Sequence, residues 1–295
     1  MNSSDTKHYS NLPLFSKEET LEMFRRMCDI RNFELYVKQI NDKGLIKAPI
    51  YLSLGQESIP AAVSMIYKNP AIFAQHRCHG YYISYGGNLE ELADELLHKP
   101  TGCSRGMGGS ASIQSPKIRM FWHDGFMGSN APIAVGYSEA KKYEKVLAVM
   151  GDAAAEEDYV IGGAIPWAAS KKLPVLFLIE DNNLSVMTPV EKRRSWRTAK
   201  VAEAYGLNSV EISDDPWEIM YNVRELSKDL PALMNIHTKR TVSHNGSDLI
   251  KNSDLDRFSL TKQELEKLSL KKEVEEIERS SESFMSDLWK RRTEN

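Results

Sequence analysis

The sequence predicts an α/β fold, a parallel sheet with helices on both faces. Two observations carry this. From Lys145 onward short apolar runs alternate with helix-length segments, the pattern of strands joined by crossover helices. The chain also shows no internal repeat and no low-complexity linker, so 295 residues with 41% hydrophobic content read as one compact domain with a helical tail.

The elements follow in order. The opening stretch MNSSDTKHYSNLPLF has neither the apolar core of a secretory signal nor the Arg-rich pattern of a transit peptide, and residues 1–15 are expected to be a flexible terminus. Ser16 and Glu19 form a capping signature, and Leu21, Phe24, Cys28, Arg31 and Leu35 then recur at helical spacing until Gly44, which predicts a long N-terminal helix. Residues 46–86 mix short apolar runs with Gly55, Pro60, Gly80 and Gly86, and NLEELADELLH over 88–98 is helical in pattern. The run TGCSRGMGGSAS carries four glycines, marking a loop of unusual backbone angles or close approach. Val146–Met150 is a buried strand, 156–171 a helix, Pro174–Ile179 the next strand and Ser209–Ile212 another. A helix begins at Asp215-Pro216, where Pro suits a first turn, and Ala232–His237 forms the last strand. The main domain is expected to run over 16–260. In the tail, 261–295, Val274, Ile277, Ser281, Phe284 and Leu288 place an apolar stripe on a charged helix, an amphipathic C-terminal helix that docks on a body or a partner; the alternative is an exposed charged helix.

A formal charge of −3 and a pI near 6.2 leave no basic footprint, so nucleic acid is not an expected partner. Three scattered cysteines, Cys28, Cys78 and Cys103, make neither a disulfide framework nor a Cys-based zinc site. No apolar run approaches the roughly 20 residues that span a bilayer. No membrane association and a cytoplasmic location are expected.

Two expected strands end in oxygen-bearing side chains. Met150 runs into Gly151-Asp152, and Ile179 into Glu180-Asp181-Asn182-Asn183. Ligands of open parallel sheets bind at the carboxyl ends of strands. A carboxylate and an amide oxygen from neighbouring strand ends suit a hard cation such as magnesium sharing its shell with a phosphate, and amides at the start of the helix after Asp152 suit the phosphate charge. A Gly-Asp alone also serves strand-to-helix turns through local hydrogen bonding. Its pairing with Asn-Asn one crossover helix later is the spacing of the thiamine-diphosphate motif.

GDAAAEEDYVIGGAIPWAASKKLPVLFLIEDNNLSVMTP resembles the diphosphate–magnesium segment of the alpha subunits of 2-oxo acid dehydrogenase decarboxylating components, the family of pyruvate, branched-chain and acetoin dehydrogenase alpha subunits. RRMCDIRNFE, YLSLGQESIPAAV, HRCHGYYISYGG, GCSRGMGGS and DGFMGSNAPIAVG resemble consecutive stretches of the same family, so that the resemblance spans residues 20 to 290.

The resemblance implies a thiamine-diphosphate-binding fold of the diphosphate type, with thiamine diphosphate and Mg2+ as cofactors. Asp152 and Asn182 would bind the metal through side chains and Leu184 through its carbonyl. The amides of Ala153 and Ala154 would face the diphosphate, and Arg77, with His76 beside it, would contact the phosphates. Gly125 and Met127 match positions whose carbonyls bind the aminopyrimidine ring. His244 matches the histidine of the family's active-site loop and Arg240 matches too, both near diphosphate and substrate; His79 matches a position read here as structural. Tyr51 falls where pyruvate-specific relatives place a substrate-side histidine, which bears on whether pyruvate is the 2-oxo acid used. Nothing resembles the pyrimidine-binding domain with its activating glutamate. The resemblance therefore implies a beta-type partner subunit in an α2β2 assembly, and a lipoyl-bearing acyltransferase as acceptor.

Three departures stand out: Gly-Asp-Ala replaces Gly-Asp-Gly, the following helix is one residue longer, and Ser112 and Val242 stand where many relatives have histidines. A methyl at Ala153 requires negative φ. The segment from His244 to Arg257 is shorter than the mitochondrial regulatory loop, so no equivalent phosphorylation switch is expected. Two other readings remain open at this point, a subunit of a two-subunit transketolase-type enzyme and a non-catalytic interaction paralogue.

Overall fold

The computed structural model describes residues 14–141, 144–246, 248 and 256–294; most of the expected flexible terminus and part of the segment after His244 lie outside them. The capping box at Ser16 and Glu19 opens α1, Lys17–Asp42. There follow α2 Ser58–Ile66, β1 Ala71–Gln75, α3 His79–Ser84, α4 Leu89–Leu96, β2 Met120–Asp124, α5 Asn130–Ala140 and β3 Val146–Gly151. Next come α6 Ile165–Lys171, β4 Val175–Asp181, the short hairpin β5 Leu184–Ser185 and β6 Thr188–Pro189, and α7 Thr198–Ala204. The chain continues through β7 Asn208–Ser213, α8 Pro216–Leu226, β8 Ala232–His237, α9 Arg257–Lys267 and α10 Lys271–Thr293.

Six strands form one sheet in the order β2-β1-β3-β4-β8-β7, and every pairing in it is parallel. Strand alternation splits its side chains between two cores. Leu147, Val149, Leu176, Leu178, Met234 and Ile236 pack with α1, α2 and α8, while Val146, Ala148, Met150, Val175, Phe177 and Ile179 pack with α5, α6 and α7. Helices on both faces are thus dictated by apolar residues at both parities of the strands. The sheet begins earlier than Lys145: β1 and β2 lie before it, in a stretch whose short, Gly-punctuated runs gave no regular period.

The segment after Asp152 is not one helix over 156–171. A three-residue 3-10 turn, Ala154–Glu156, leads to a five-residue π turn, Val160–Ala164, before α6. A π turn closes its hydrogen bonds over one residue more than an α-helix, which takes up an extra residue ahead of α6.

α10 docks along α1 in the same direction: Lys17 Nζ meets Glu273 at 2.6 Å, Asn32 meets Ser281 at 3.1 Å, and the Phe33 and Trp289 rings lie 5.3 Å apart. Val274, Ile277, Ser281 and Leu288 are buried as the spacing predicts, but Phe284 is exposed and Met285 with Trp289 completes the stripe. The exposed-helix alternative is overturned. On α1, Leu35 is likewise half-exposed rather than inward, and Phe33, Glu34 and Val37 take the buried positions. Among the described residues no helix is long and apolar enough to cross a membrane.

The glycine-rich loop after α4 is folded around one side chain. The buried Glu95 carboxylate accepts the amides of Ser104 at 2.6 Å, Gly106 at 2.9 Å, Gly108 at 2.7 Å and Gly109 at 3.1 Å. Gly106 and Gly109 have positive φ, and a Cβ on Gly108 would meet the Ser112 carbonyl at 2.1 Å. Glycine is required both for the left-handed angles and for the approach.

Candidate active site

The carboxyl ends of the strands converge on one pocket. Gln75, His76 and Arg77 come from the end of β1, Gly125 and Met127 from the turn after β2, Gly151–Ala154 from β3, Glu180, Asn182 and Leu184 from β4, and Arg240 with His244 from the loop after β8. Tyr51 and Gln56 close it from the segment between α1 and α2. Every site residue expected from the sequence lines this pocket, all but Tyr51 from strand ends or the loops that follow them, where parallel sheets bind ligands.

One wall is cationic. Arg77 is buried and donates to the Leu52 carbonyl at 2.6 Å and the His244 carbonyl at 3.1 Å. Arg240 donates to the Val186 carbonyl at 3.0 Å and lies 3.5 Å from His244 Nδ1, while its buried Nε has no partner among the described residues. No carboxylate among the described residues ion-pairs with either guanidinium. Burial and the neighbouring Arg240 charge push the Arg77 guanidinium down to about 10. The His244 imidazole is held below its ordinary value by burial and then by Arg77 and Arg240. Two guanidiniums without a contact ion pair among the described residues, one with an orphaned donor, fit a multiply charged anion such as a diphosphate.

The opposite wall supplies oxygens. Asp152 is buried; burial first, and Asp181 nearby, push its carboxyl above the usual range, while Arg193 pulls it down. The Asn182 amide oxygen accepts the Leu184 N–H at 3.2 Å, leaving a lone pair for a cation. One carboxylate, one amide and one carbonyl suit Mg2+ sharing its shell with phosphate oxygens. Among the described residues no group of three or more His, Cys, Asp or Glu is placed to hold a metal ion. Ala153 has φ −69° and ψ −32°, so its methyl is tolerated in place of glycine. No full helix starts at Asp152 to aim a macrodipole at an anion; only the 3-10 turn does.

Tyr51, His76 and His244 form an aromatic cluster at the mouth. Tyr51 meets His76 edge-on at 4.7 Å and His244 at 5.5 Å, and the two histidine rings lie 5.4 Å apart. Behind it, the buried Glu34, His79 and Ser110 form a chain, 3.0 Å from Glu34 Oε2 to His79 Nδ1 and 2.9 Å from His79 Nε2 to Ser110 Oγ. The Ser110 hydroxyl accepts the Tyr51 N–H at 2.9 Å. His79 is therefore a structural histidine that fixes the pocket wall. The Met127 carbonyl, expected at the pyrimidine edge, already accepts the Tyr159 hydroxyl on one lone pair. Val242, where relatives carry histidine, is buried and contributes packing.

Gln56, Gln75, Glu180 and Arg193 belong to the site and were not singled out from sequence. Glu180 is buried on the pocket floor, accepting from Tyr81 at 2.9 Å and Gln56 at 3.2 Å, and burial raises its carboxyl to about 7. Its place directly before Asp181-Asn182 at a strand end was the available signal. Arg193 lies on a surface turn after β6 and donates to Asp152; nothing local in the sequence marks it.

Residues 25–283 match the family model described as dehydrogenase E1 component. The chain is 30% identical over 246 residues to the pyruvate dehydrogenase E1 component subunit alpha of Rickettsia bellii, covering 79% of this chain and 74% of that protein. It is 34% identical over 184 residues to the mitochondrial subunit alpha of Dictyostelium discoideum, covering 61% and 48%, and 30% identical over 195 residues to subunit alpha-1, mitochondrial, of Arabidopsis thaliana, covering 64% and 49%. A parallel sheet whose strand ends gather the family's motif residues into one pocket, and a family match over nearly the whole described chain, lead to one conclusion: this protein belongs to the dehydrogenase E1 component family, on its alpha-subunit side.

Proposed function

We propose that this chain is the alpha subunit of a thiamine-diphosphate-dependent 2-oxo acid dehydrogenase and binds the diphosphate–magnesium half of the cofactor. The observation that carries the reading is the pairing, across one pocket, of two guanidiniums that ion-pair with no carboxylate among the described residues with the oxygens of Asp152 and Asn182. When bound, thiamine diphosphate supplies a carbanion nucleophile and an electron sink for decarboxylating a 2-oxo acid.

In this reading Arg77 and Arg240 hold phosphate oxygens, with His76 beside them and the amides of Ala153 and Ala154 facing the diphosphate. Asp152, Asn182 and the Leu184 carbonyl hold Mg2+. The carbonyls of Gly125 and Met127 meet the aminopyrimidine edge. His244, kept neutral between two guanidiniums, accepts or orients a proton near the substrate, and Tyr51 borders the substrate side. The cavity within this chain is about 200 Å3, below the roughly 300–1,000 Å3 of a complete small-molecule site. That supports a beta-type partner subunit that closes the site and brings the activating glutamate, in an α2β2 assembly, with a lipoyl-bearing acyltransferase receiving the acyl group.

Calorimetric titration of thiamine diphosphate with Mg2+ into the chain co-purified with its beta partner tests this. Wild type is expected to bind and Asp152→Ala to lose the magnesium-dependent part. An assembled wild-type complex that binds no thiamine diphosphate overturns the reading in favour of a non-catalytic subunit.

A further inference from the structure

One oxygen of the Asp152 carboxylate is already held by a side chain from another element. Arg193 Nη2 donates to Asp152 Oδ2, and the same guanidinium forks onto Glu156, Nε to Oε2 at 3.1 Å and Nη2 to Oε1 at 2.9 Å. Its Nη1 donates to the Thr188 carbonyl. Arg194 reaches Glu156 Oε1 from the same turn at 2.9 Å, without an ion pair to Asp152. The Arg193 side chain is 14% exposed and that of Asp152 2%, so the contact is shielded from solvent.

One guanidinium thus ties the turn after β3 and the turn after β6 together beside Asp152. The 3-10 turn carrying Glu156 follows β3, and the β5–β6 hairpin with its following turn carries Leu184 at one end and Arg193 at the other. A divalent cation on Asp152 would share that carboxylate with a fixed positive charge at hydrogen-bond range in a shielded site, where like charges repel strongly. The guanidinium has an alternative: its fork on Glu156 persists without Asp152.

We propose that Arg193 is a displaceable occupant of the cation position, so that metal loading at Asp152 exchanges the guanidinium off the carboxylate and loosens the hairpin turn over residues 188–193. The inference rests on the cofactor reading above. Linkage makes the coupling reciprocal: whatever Arg193 contributes to holding the turn, it subtracts from cation affinity.

The test uses Mn2+ as the spectroscopic probe with thiamine diphosphate, added to the full chain with its beta partner, comparing wild type, Arg193→Gln and Arg194→Gln. Arg193→Gln is expected to tighten Mn2+ binding by at least about fivefold, while Arg194→Gln, which removes the same charge from Glu156 without touching Asp152, changes it less than about twofold. Hydrogen exchange over 188–193 should quicken on loading in wild type and be already fast, and insensitive to loading, in Arg193→Gln. Unchanged or weaker Mn2+ binding in Arg193→Gln overturns the proposal and leaves the cofactor reading standing. Equal tightening in both variants overturns it as a general charge effect. If neither wild type nor Arg193→Gln binds Mn2+ with thiamine diphosphate, the cofactor reading fails and this inference with it.

Discussion

His79 Nε2 and Ser110 Oγ lie 2.9 Å apart in the buried wall behind Tyr51, joining a histidine on α3 to the last turn of the glycine-rich loop. Ser110→Ala leaves both His79 Nε2 and the Tyr51 N–H without partners. A loss of about 1–3 kcal/mol is expected, measured by denaturant unfolding, whereas a cost below the noise would show that the chain is dispensable.

Arg31 forks onto the fully buried Glu57 at 2.5 and 3.0 Å and reaches Asp256 at 2.6 Å. Arg31→Met strands a buried carboxylate and is expected to cost about 3–5 kcal/mol. The double variant Arg31→Met, Glu57→Gln should recover a substantial part of that, because the stranded charge is gone; thermal melts of the four proteins in the cycle decide it.

Glu95→Gln keeps the shape but offers one accepting oxygen where four amides now share two. Hydrogen exchange at 104–109 should accelerate by one to two orders of magnitude, roughly the factor that about 1–3 kcal/mol implies. Protection equal to wild type would mean that the glycine angles alone hold the loop.

His244 is held below the ordinary imidazole range by burial, Arg77 and Arg240. As pH falls through that range, about 6.5, the unfolded chain takes up a proton that folded His244 refuses, so stability falls with it. His244→Gln should therefore lose less stability than wild type between about pH 7.5 and 5.5. Arg240→Met should raise the imidazole titration followed by NMR; no upward movement would rule out the arginine's share.

Tyr51 packs edge-on to His76 and His244 at the pocket mouth. Tyr51→His places the residue of pyruvate-specific relatives there and is expected to shift the kcat/KM ratio of pyruvate over larger 2-oxo acids by about tenfold or more. An unchanged ratio across a 2-oxo acid panel would remove Tyr51 from substrate selection.

The strands β3, β4 and β8 were legible because residues of both parities are apolar, and α8 because Asp215 caps it through the Trp217 and Glu218 amides. β1 escaped because AIFAQ is five residues long and flanked by irregular chain, where a short apolar run has no period to read. The motif residues were legible because the strand ends that carry them are fixed by the sheet. Arg193 was not: its role depends on where a hairpin turn lands, which is a tertiary fact. Phe284 was misplaced because a helical period cannot say which of two adjacent apolar positions, Phe284 or Met285, the neighbouring helix covers; Leu35 was misplaced because the inward position beside it belongs to Glu34, a carboxylate buried by its bonds to His79 and the Ser53 amide.

The parallel seating of α10 on α1 has a consequence for biosynthesis. The face of the first helix that receives Trp289 leaves the ribosome with its partner still untranslated, and at roughly 5–20 residues per second the gap between Phe33 and Trp289 lasts on the order of 10–50 s. Through that interval Phe33 and its neighbours are open to chaperones, and a chain whose translation stops short of Trp289 offers the quality-control machinery the same apolar groove.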